Sequence, residues 1–277
     1  MKLSISECKE KLKSAEMILV GVGKEFEVQL DDVIKYNEIY KKFKDDIDSM
    51  PADEGGWLEY AIFYHELVSG KNPIVEEKVE LLNKLYEMLE GKNIFVISIC
   101  NHDIIRQSRF NKEKMVSPCG TTLKMECNVG CKKDVYNAIE IYEKIYKRLE
   151  LFYKDEIFDK QYIMQFIPIC EKCESLMELN LLGSVSYSEE GYLDRWEYYQ
   201  QWLAGSINRQ IVLLELGVDF NTPTVIRFPF EKINMINTKS TLIRVNEKFS
   251  MLTPEIVERA TSVSKSSKNF IEELEQV

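Results

Sequence analysis

Residues 17–23 read Met17-Ile18-Leu19-Val20-Gly21-Val22-Gly23. Four apolar side chains in a row predict a short buried strand over Met17–Val20, and Gly21-Val22-Gly23 predicts a turn at its end. A strand that runs into a Gly-x-Gly turn opens many nucleotide-binding α/β units. The glycines permit a tight turn and let the backbone come close to a pyrophosphate. Such turns are common, so the fold is decided by what lies further along the chain.

Three more apolar runs of strand length follow. Asn93–Cys100 ends in Asn101-His102-Asp103. Polar groups at the carboxyl end of a parallel strand stand where ligands bind in open α/β sheets. Gln210–Leu216 ends in Gly217 and a polar loop, Val218–Pro223, and Thr241–Val245 ends in Asn246. Helical patterns separate the runs. Residues 4–16 read as a helix with Ser4 or Ser6 near its cap. Residues 28–90 read as helical, with a loop at Pro51–Gly56 and a period near 3.6 over Val79–Leu89. Trp57, Tyr60, Phe63 and Tyr64 recur at helical spacing and read as core or groove wall. The tail, 254–274, reads as a polar helix packed on the sheet. Strands alternating with helices predict an α/β fold with a doubly wound parallel sheet.

Composition excludes several classes. The chain has 277 residues, 45% of them apolar and 30% charged, which rules out a disordered or fibrous protein. Its net charge of -10 argues against nucleic acid as a partner. Its apolar runs fall far short of the roughly 20 residues that cross a bilayer, so no membrane partner is expected. The start of the chain does not read as a signal peptide, and the expected location is the cytoplasm. His65 and His102 are the two histidines and stand alone, which excludes a multi-histidine metal centre.

The seven cysteines are more telling. Cys127 and Cys131 are spaced C-x3-C, and Cys170 and Cys173 are spaced C-x2-C. Two such knuckles supply four thiolates to a tetrahedral Zn(II), and a full set of four leaves no open position, so the metal is expected to be structural. An amphipathic helix, Val135–Phe152, lies between the pairs as an insertion in a smaller zinc-binding module. Cys8 and Cys100 read as packing residues. Cys119 lies in the turn Ser117-Pro118-Cys119-Gly120 and reads either as a turn residue or as one facing an active cleft.

The ordered set of features resembles the sirtuin family, a Rossmann-like fold with a zinc module. Gly21-Val22-Gly23 resembles the family's first phosphate loop. Asn101-His102-Asp103 resembles its Asn-Ile-Asp motif, whose Asn orients the nicotinamide ribose and whose Asp helps hold the nicotinamide pocket. Cys127, Cys131, Cys170 and Cys173 match the zinc ligands. Gly217-Val218-Asp219 takes the place of a Gly-Thr-Ser segment that contacts the adenine ribose and phosphates, and Val245-Asn246 matches an Ile-Asn pair near the same ribose. The loop running from Asn221-Thr222-Pro223 to Phe230 resembles a bacterial sirtuin-like branch. Related macrodomain-linked sirtuins transfer ADP-ribose to protein. The resemblance implies NAD as cofactor, with Gly21, Val22, Gly23, Asn101, Asp103, Gly217, Val218, Asp219, Asn221 and Asn246 binding it. The departures are equally plain. The family's Gly-Ile-Pro-Asp-Phe-Arg stretch is replaced by Lys24-Glu25-Phe26-Glu27-Val28, the Gln before Asn101 by Cys100, and the catalytic His by Cys119.

Those departures shape the chemistry. Departure of nicotinamide needs hydrogen bonding and field orientation from residues such as Asn101 and Asp103. Deacylation also needs a base where Cys119 stands, and a thiol near its ordinary pKa of ~8.5 is mostly protonated at neutral pH. His102 is a further candidate base, although in an extended Asn-x-Asp it points away from its neighbours. The foremost expectation is therefore an NAD-consuming transferase that passes ADP-ribose to a protein side chain or to water, with Asn101, Asp103 and Cys119 as candidate catalytic residues. The alternatives are a lysine deacylase, with a protein or peptide as acyl substrate, and a catalytically silent NAD or ADP-ribose binding module. Residues 1–110 with 185–277 form the expected nucleotide domain and 111–184 the zinc module.

Overall fold

The computed structural model describes residues 3–277. Six strands form one parallel sheet. They are β1 (Met17–Val22), β2 (Asn93–Ser98), β3 (Met115–Val116), β7 (Ile211–Leu216), β8 (Ser240–Val245) and β9 (Ala260–Val263), in the order β3-β2-β1-β7-β8-β9. Renumbered within the sheet, this is the 3-2-1-4-5-6 order of doubly wound nucleotide-binding folds. All six residues of β1 are buried, as expected of a central strand covered on both faces. Alternation divides its side chains. Ile18, Val20 and Val22 enter one core, beneath α1 (Ile5–Ser14), α5 (Pro73–Met88) and α10 (Ser267–Gln276). Met17 and Leu19 enter the other, beneath α8 (Leu193–Ala204) and α9 (Arg227–Ile236).

A helical layer of α2 (Leu30–Ile34), α3 (Glu38–Asp48), α4 (Ala52–Ser69) and α6 (Ile139–Asp155) packs beside the sheet, with a short α7 at Lys160–Ile163. Trp57, Phe63, Tyr60 and Tyr64 of α4 are core or half-buried. Trp57 and Tyr64 lie against Tyr142 of α6, with ring centroids 5.9 and 5.7 Å apart. A second sheet, antiparallel, has the order β5-β4-β6, made by β4 (Gly120–Cys127), β5 (Tyr136–Asn137) and β6 (Met177–Leu181). β3 falls inside the 111–184 segment yet pairs with β2 in the main sheet.

Three local expectations are corrected. Pro51–Gly56 is not a loop, because α4 starts at Ala52 and takes in both glycines. A Cβ on Gly55 would stand 3.1 Å from the Ile47 carbonyl, so close packing of α3 on α4 outweighs the poor helix propensity of glycine. The tail is not one helix. Residues 260–263 form edge strand β9, hydrogen-bonded to β8, and α10 starts at Ser267, capped by Ser266. The helix between the cysteine pairs starts at Ile139 rather than Val135, since Tyr136 and Asn137 pair with β4. The first helix has its cap at Ser4, in a capping box with Glu7.

Candidate functional site

The sheet order places the ends of β2, β1, β7 and β8 side by side. Gly23 follows β1, and its N–H donates to the Leu216 carbonyl at 2.8 Å. A Cβ there would lie 2.2 Å from the Gly217 carbonyl oxygen and 2.5 Å from Val218 Cα, so only glycine lets these two loops touch. Gly217 adopts φ +63°, and its N–H donates to the Val245 carbonyl at 2.9 Å. Asn246 closes the row. Its Nδ2 donates to the Val218 carbonyl at 3.0 Å, and its Oδ1 accepts from the Lys248 and Phe249 N–H groups. Gly217, Asp219 and Asn246 line a groove of about 510 Å³ together with Lys24 and Ser267.

Not every sequence candidate faces this groove. Gly21 and Val22 continue the strand, two residues past the expected turn, and Gly21 serves to admit Ile226 and Phe230 against β1. Val218 is buried. Asn221 is exposed, and its Nδ2 donates to Asp219 Oδ2 at 2.6 Å. Asp103 lies beneath the site, fully buried, with φ +48°. The hydroxyls of Thr121 and Ser117 and Arg106 Nε surround its carboxylate. Burial, partly opposed by Arg106, raises it to about 6.

At the β2 end the hydrogen bonds centre on Asn101. Its Nδ2 donates to the Cys119 carbonyl at 3.0 Å, while its Oδ1 accepts from Lys24 Nζ at 2.7 Å. Lys24 also pairs with Glu27 at 2.7 Å. Glu27 accepts the backbone N–H of Asn101 at 2.8 Å and that of His102 at 3.1 Å, and its carboxylate lies 3.0 Å from His102 Nδ1. Burial works against this charge, yet hydrogen bonds from His102, Lys24 and Asn101 hold the carboxyl down to about 2. His102 Nδ1 faces two oxygens, those of Glu27 and of the Val28 carbonyl at 2.6 Å, so it carries the hydrogen. With Phe63 packed 4.7 Å from its ring, His102 braces the loop rather than facing the groove.

Cys119 is 3% exposed. Burial raises its thiol pKa, only partly countered by the Thr222 hydroxyl and the charge of Lys24. Pro118, beside it, accepts a hydrogen bond from Tyr187 at 2.8 Å. The thiol is thus neutral at pH 7. The sequence reading passed over Lys24, Glu27 and Thr222. Lys24 and Glu27 left one signal, an acid three residues after a base directly behind the Gly-x-Gly turn.

The four paired cysteines converge. Cys127, Cys131, Cys170 and Cys173 place their sulfurs within 4.8 Å of one another, with Cys127 to Cys173 and Cys131 to Cys170 each at 3.5 Å. A tetrahedron with metal–sulfur bonds of ~2.3 Å has edges of roughly 3.8 Å, so the donor set fits an ion held by four thiolates. Gly130 at φ +61° and Glu174 at φ +59° turn the two knuckles. No helix among the described residues is long and apolar enough to cross a membrane.

Comparison with known proteins adds two kinds of relative. No family model matches the chain. A curated protein ADP-ribosyltransferase of Staphylococcus aureus (strain Mu50 / ATCC 700699) is 21% identical over 255 residues, covering 90% of this chain and 76% of the relative. A probable bifunctional ADP-ribose hydrolase/ADP-ribosyltransferase of Fusarium oxysporum f. sp. cubense is 24% identical over 252 residues, covering 84% of this chain and 40% of the relative. Among solved structures, a Sir2 homologue in complex with NAD superposes with a TM-score of 0.56 at 11% identity, covering 99% of this chain and 94% of the other. A Sir2 enzyme with a p53 peptide and NAD+ superposes at 0.51 with 17% identity, covering 99% and 98%.

Proposed function

Taking the sirtuin-type fold as its premise, we propose that the chain consumes NAD, breaking the nicotinamide–ribose bond and passing ADP-ribose to an acceptor nucleophile. One observation carries the reading: the ends of four adjacent parallel strands bring Gly23, Asn101, Gly217 and Asn246 into one row. Glycines along that row, which let the backbone come close to a ligand, suit a diphosphate. Asn101, at the β2 end, is the amide positioned for the ribose. The names of the two curated relatives support transfer of ADP-ribose.

Transfer is favoured over deacylation by the state of Cys119. Sirtuin-type deacylation needs a proton removed from a ribose hydroxyl. A buried neutral thiol does not take up that proton, whereas nicotinamide departure requires none. Ionised Glu27, one hydrogen bond from the Asn101 backbone, supplies negative potential near the carbon that gains positive charge.

In this reading Asp103 holds the nicotinamide pocket from below, Val218, Asp219 and Asn221 shape the loop after β7, and Gly21 and Val22 carry the strand that leads into the loop after β1. The four-cysteine cluster takes Zn(II), which braces the module and supplies no chemistry to the reaction. Residues 1–110 and 185–277, with β3 added, form the nucleotide-binding unit, and the rest of 111–184 forms the zinc module. Residues 1 and 2 of that unit lie outside the described residues. The acceptor is a protein or peptide side chain, or water. Seven unpaired cysteines, four of them candidate thiolate ligands, support a reducing compartment, the cytoplasm, as its location.

The test is nicotinamide release from NAD, followed by chromatography. Wild type should release it and Asn101→Ala should not, while Cys119→Ala should keep release within about threefold. No release at high enzyme with any acceptor or with water would reject the proposal. O-acyl-ADP-ribose formed from acylated peptide, and lost in Cys119→Ala, would instead favour deacylation. Tight ADP-ribose binding without turnover would favour the silent module.

A further inference from the structure

The hydrogen bonds around Lys24 describe a side chain within reach of two stations. Its ammonium bridges Glu27 Oε2 and Asn101 Oδ1, each at 2.7 Å. The same residue lines the groove that contains Gly217, Asp219 and Asn246. It therefore touches the reactive end and faces the nucleotide-binding end at once, and its side chain is 35% exposed.

Removing the ammonium from its present place strands nothing. Glu27 would keep the N–H groups of Asn101 and His102 and the His102 ring. Asn101 would keep its Nδ2 bond to the Cys119 carbonyl, so the amide plane stays fixed. What the departure does free is a lone pair of Asn101 Oδ1, on the side now taken by the groove-lining Lys24. A ribose hydroxyl is a donor that could use it. While Lys24 holds that oxygen, one of its two lone pairs is taken and an ammonium stands in front of it.

We propose that Lys24 is the diphosphate-binding cation of this chain, and that in leaving Asn101 for the diphosphate it releases the amide oxygen to the ribose. The idea rests on the NAD-binding reading above and deepens it. Lysine meets phosphate as a flexible point charge on a long stem, which is what a moving contact requires. The arrangement makes ligand charge, rather than the ribose alone, the trigger for exposing Asn101.

Calorimetry with ADP-ribose tests the proposal without turnover. Lys24→Met should weaken ADP-ribose binding about tenfold, as expected for one lost charge-assisted contact, and Lys24→Arg should stay within about threefold of wild type. Raising NaCl from about 50 to about 500 mM should weaken the wild type more than Lys24→Met, because screening acts on the charge that has been removed. Melting midpoints of the variants report folding. If Lys24→Met fails to fold, Lys24→Gln takes its place against Lys24→Arg. Equal affinity in wild type and a folded Lys24→Met would overturn the role of Lys24 and leave the nucleotide reading standing. A wild-type protein that binds neither ADP-ribose nor NAD would overturn both.

Discussion

At the scale of single residues, Asp103 is the clearest titrating group. Its burial raises the carboxyl from 3.8 to about 6, so the folded protein holds that proton more tightly than the unfolded chain. Its stabilising effect is therefore complete below about pH 4 and fades as pH rises through about 6. The expected loss between pH 4 and pH 8 is on the order of 2–3 kcal/mol. Asp103→Asn keeps the shape and can still accept from Thr121, but carries no charge. Urea unfolding at the two pH values should show a smaller gap for the variant than for wild type. An unchanged gap would assign the pH dependence to another group. Residues of this kind were only half legible. Asn101 and Asp103 stood out because polar groups at a strand end are conspicuous. Glu27 did not, because its meaning lies in accepting the N–H groups of Asn101 and His102, 74 and 75 positions away in the chain. Nothing local to Lys24-Glu25-Phe26-Glu27 announces that meeting.

At the scale of elements, the long apolar strands were legible and the short ones were not. β1, β2, β7 and β8 are runs that must be covered on both faces, and such runs are hard to mistake. β9 is four residues long, with Thr261 and Ser262 among them, and it exists because β8 offers it an edge. The start of α4 was missed for a related reason. Two adjacent glycines argue for a loop until α3 is seen lying against one of them. The cysteine knuckles are legible from spacing alone, and the sulfurs do converge. Metal analysis of the reduced protein should find about one zinc per chain, and Cys127→Ser should lower that occupancy. Chelation should loosen β4, β5 and β6 first. Hydrogen exchange would then show faster amide exchange in those strands, with β1 and β7 little changed. Uniform loosening of both sheets would mean the module has no independent stability.

At the scale of the whole molecule, the proposed nucleotide site draws on four strand ends that meet only when the sheet is complete. Ligand binding should therefore stabilise the sheet as one body. ADP-ribose at about 100 times its dissociation constant should add roughly 2.7 kcal/mol to the unfolding free energy. Hydrogen exchange should slow together at the ends of β1, β2, β7 and β8. Protection confined to one loop would mean that the segments do not share a ligand. Between the same strands, Glu215 of β7 and Arg244 of β8 form a fully buried pair with two contacts of 2.9 Å. That pair fastens the two strands whose ends carry Gly217 and Asn246. A last consequence follows from where α6 sits. It is carried on the stretch 132–169, flanked by the inner cysteines of the pairs, Cys131 and Cys170, and it leans on α4, which in turn reaches His102 through Phe63. Loss of an ion held by the cluster would slacken this roof beam, and the slack would arrive at the loop of Asn101 and His102 without any thiolate touching it.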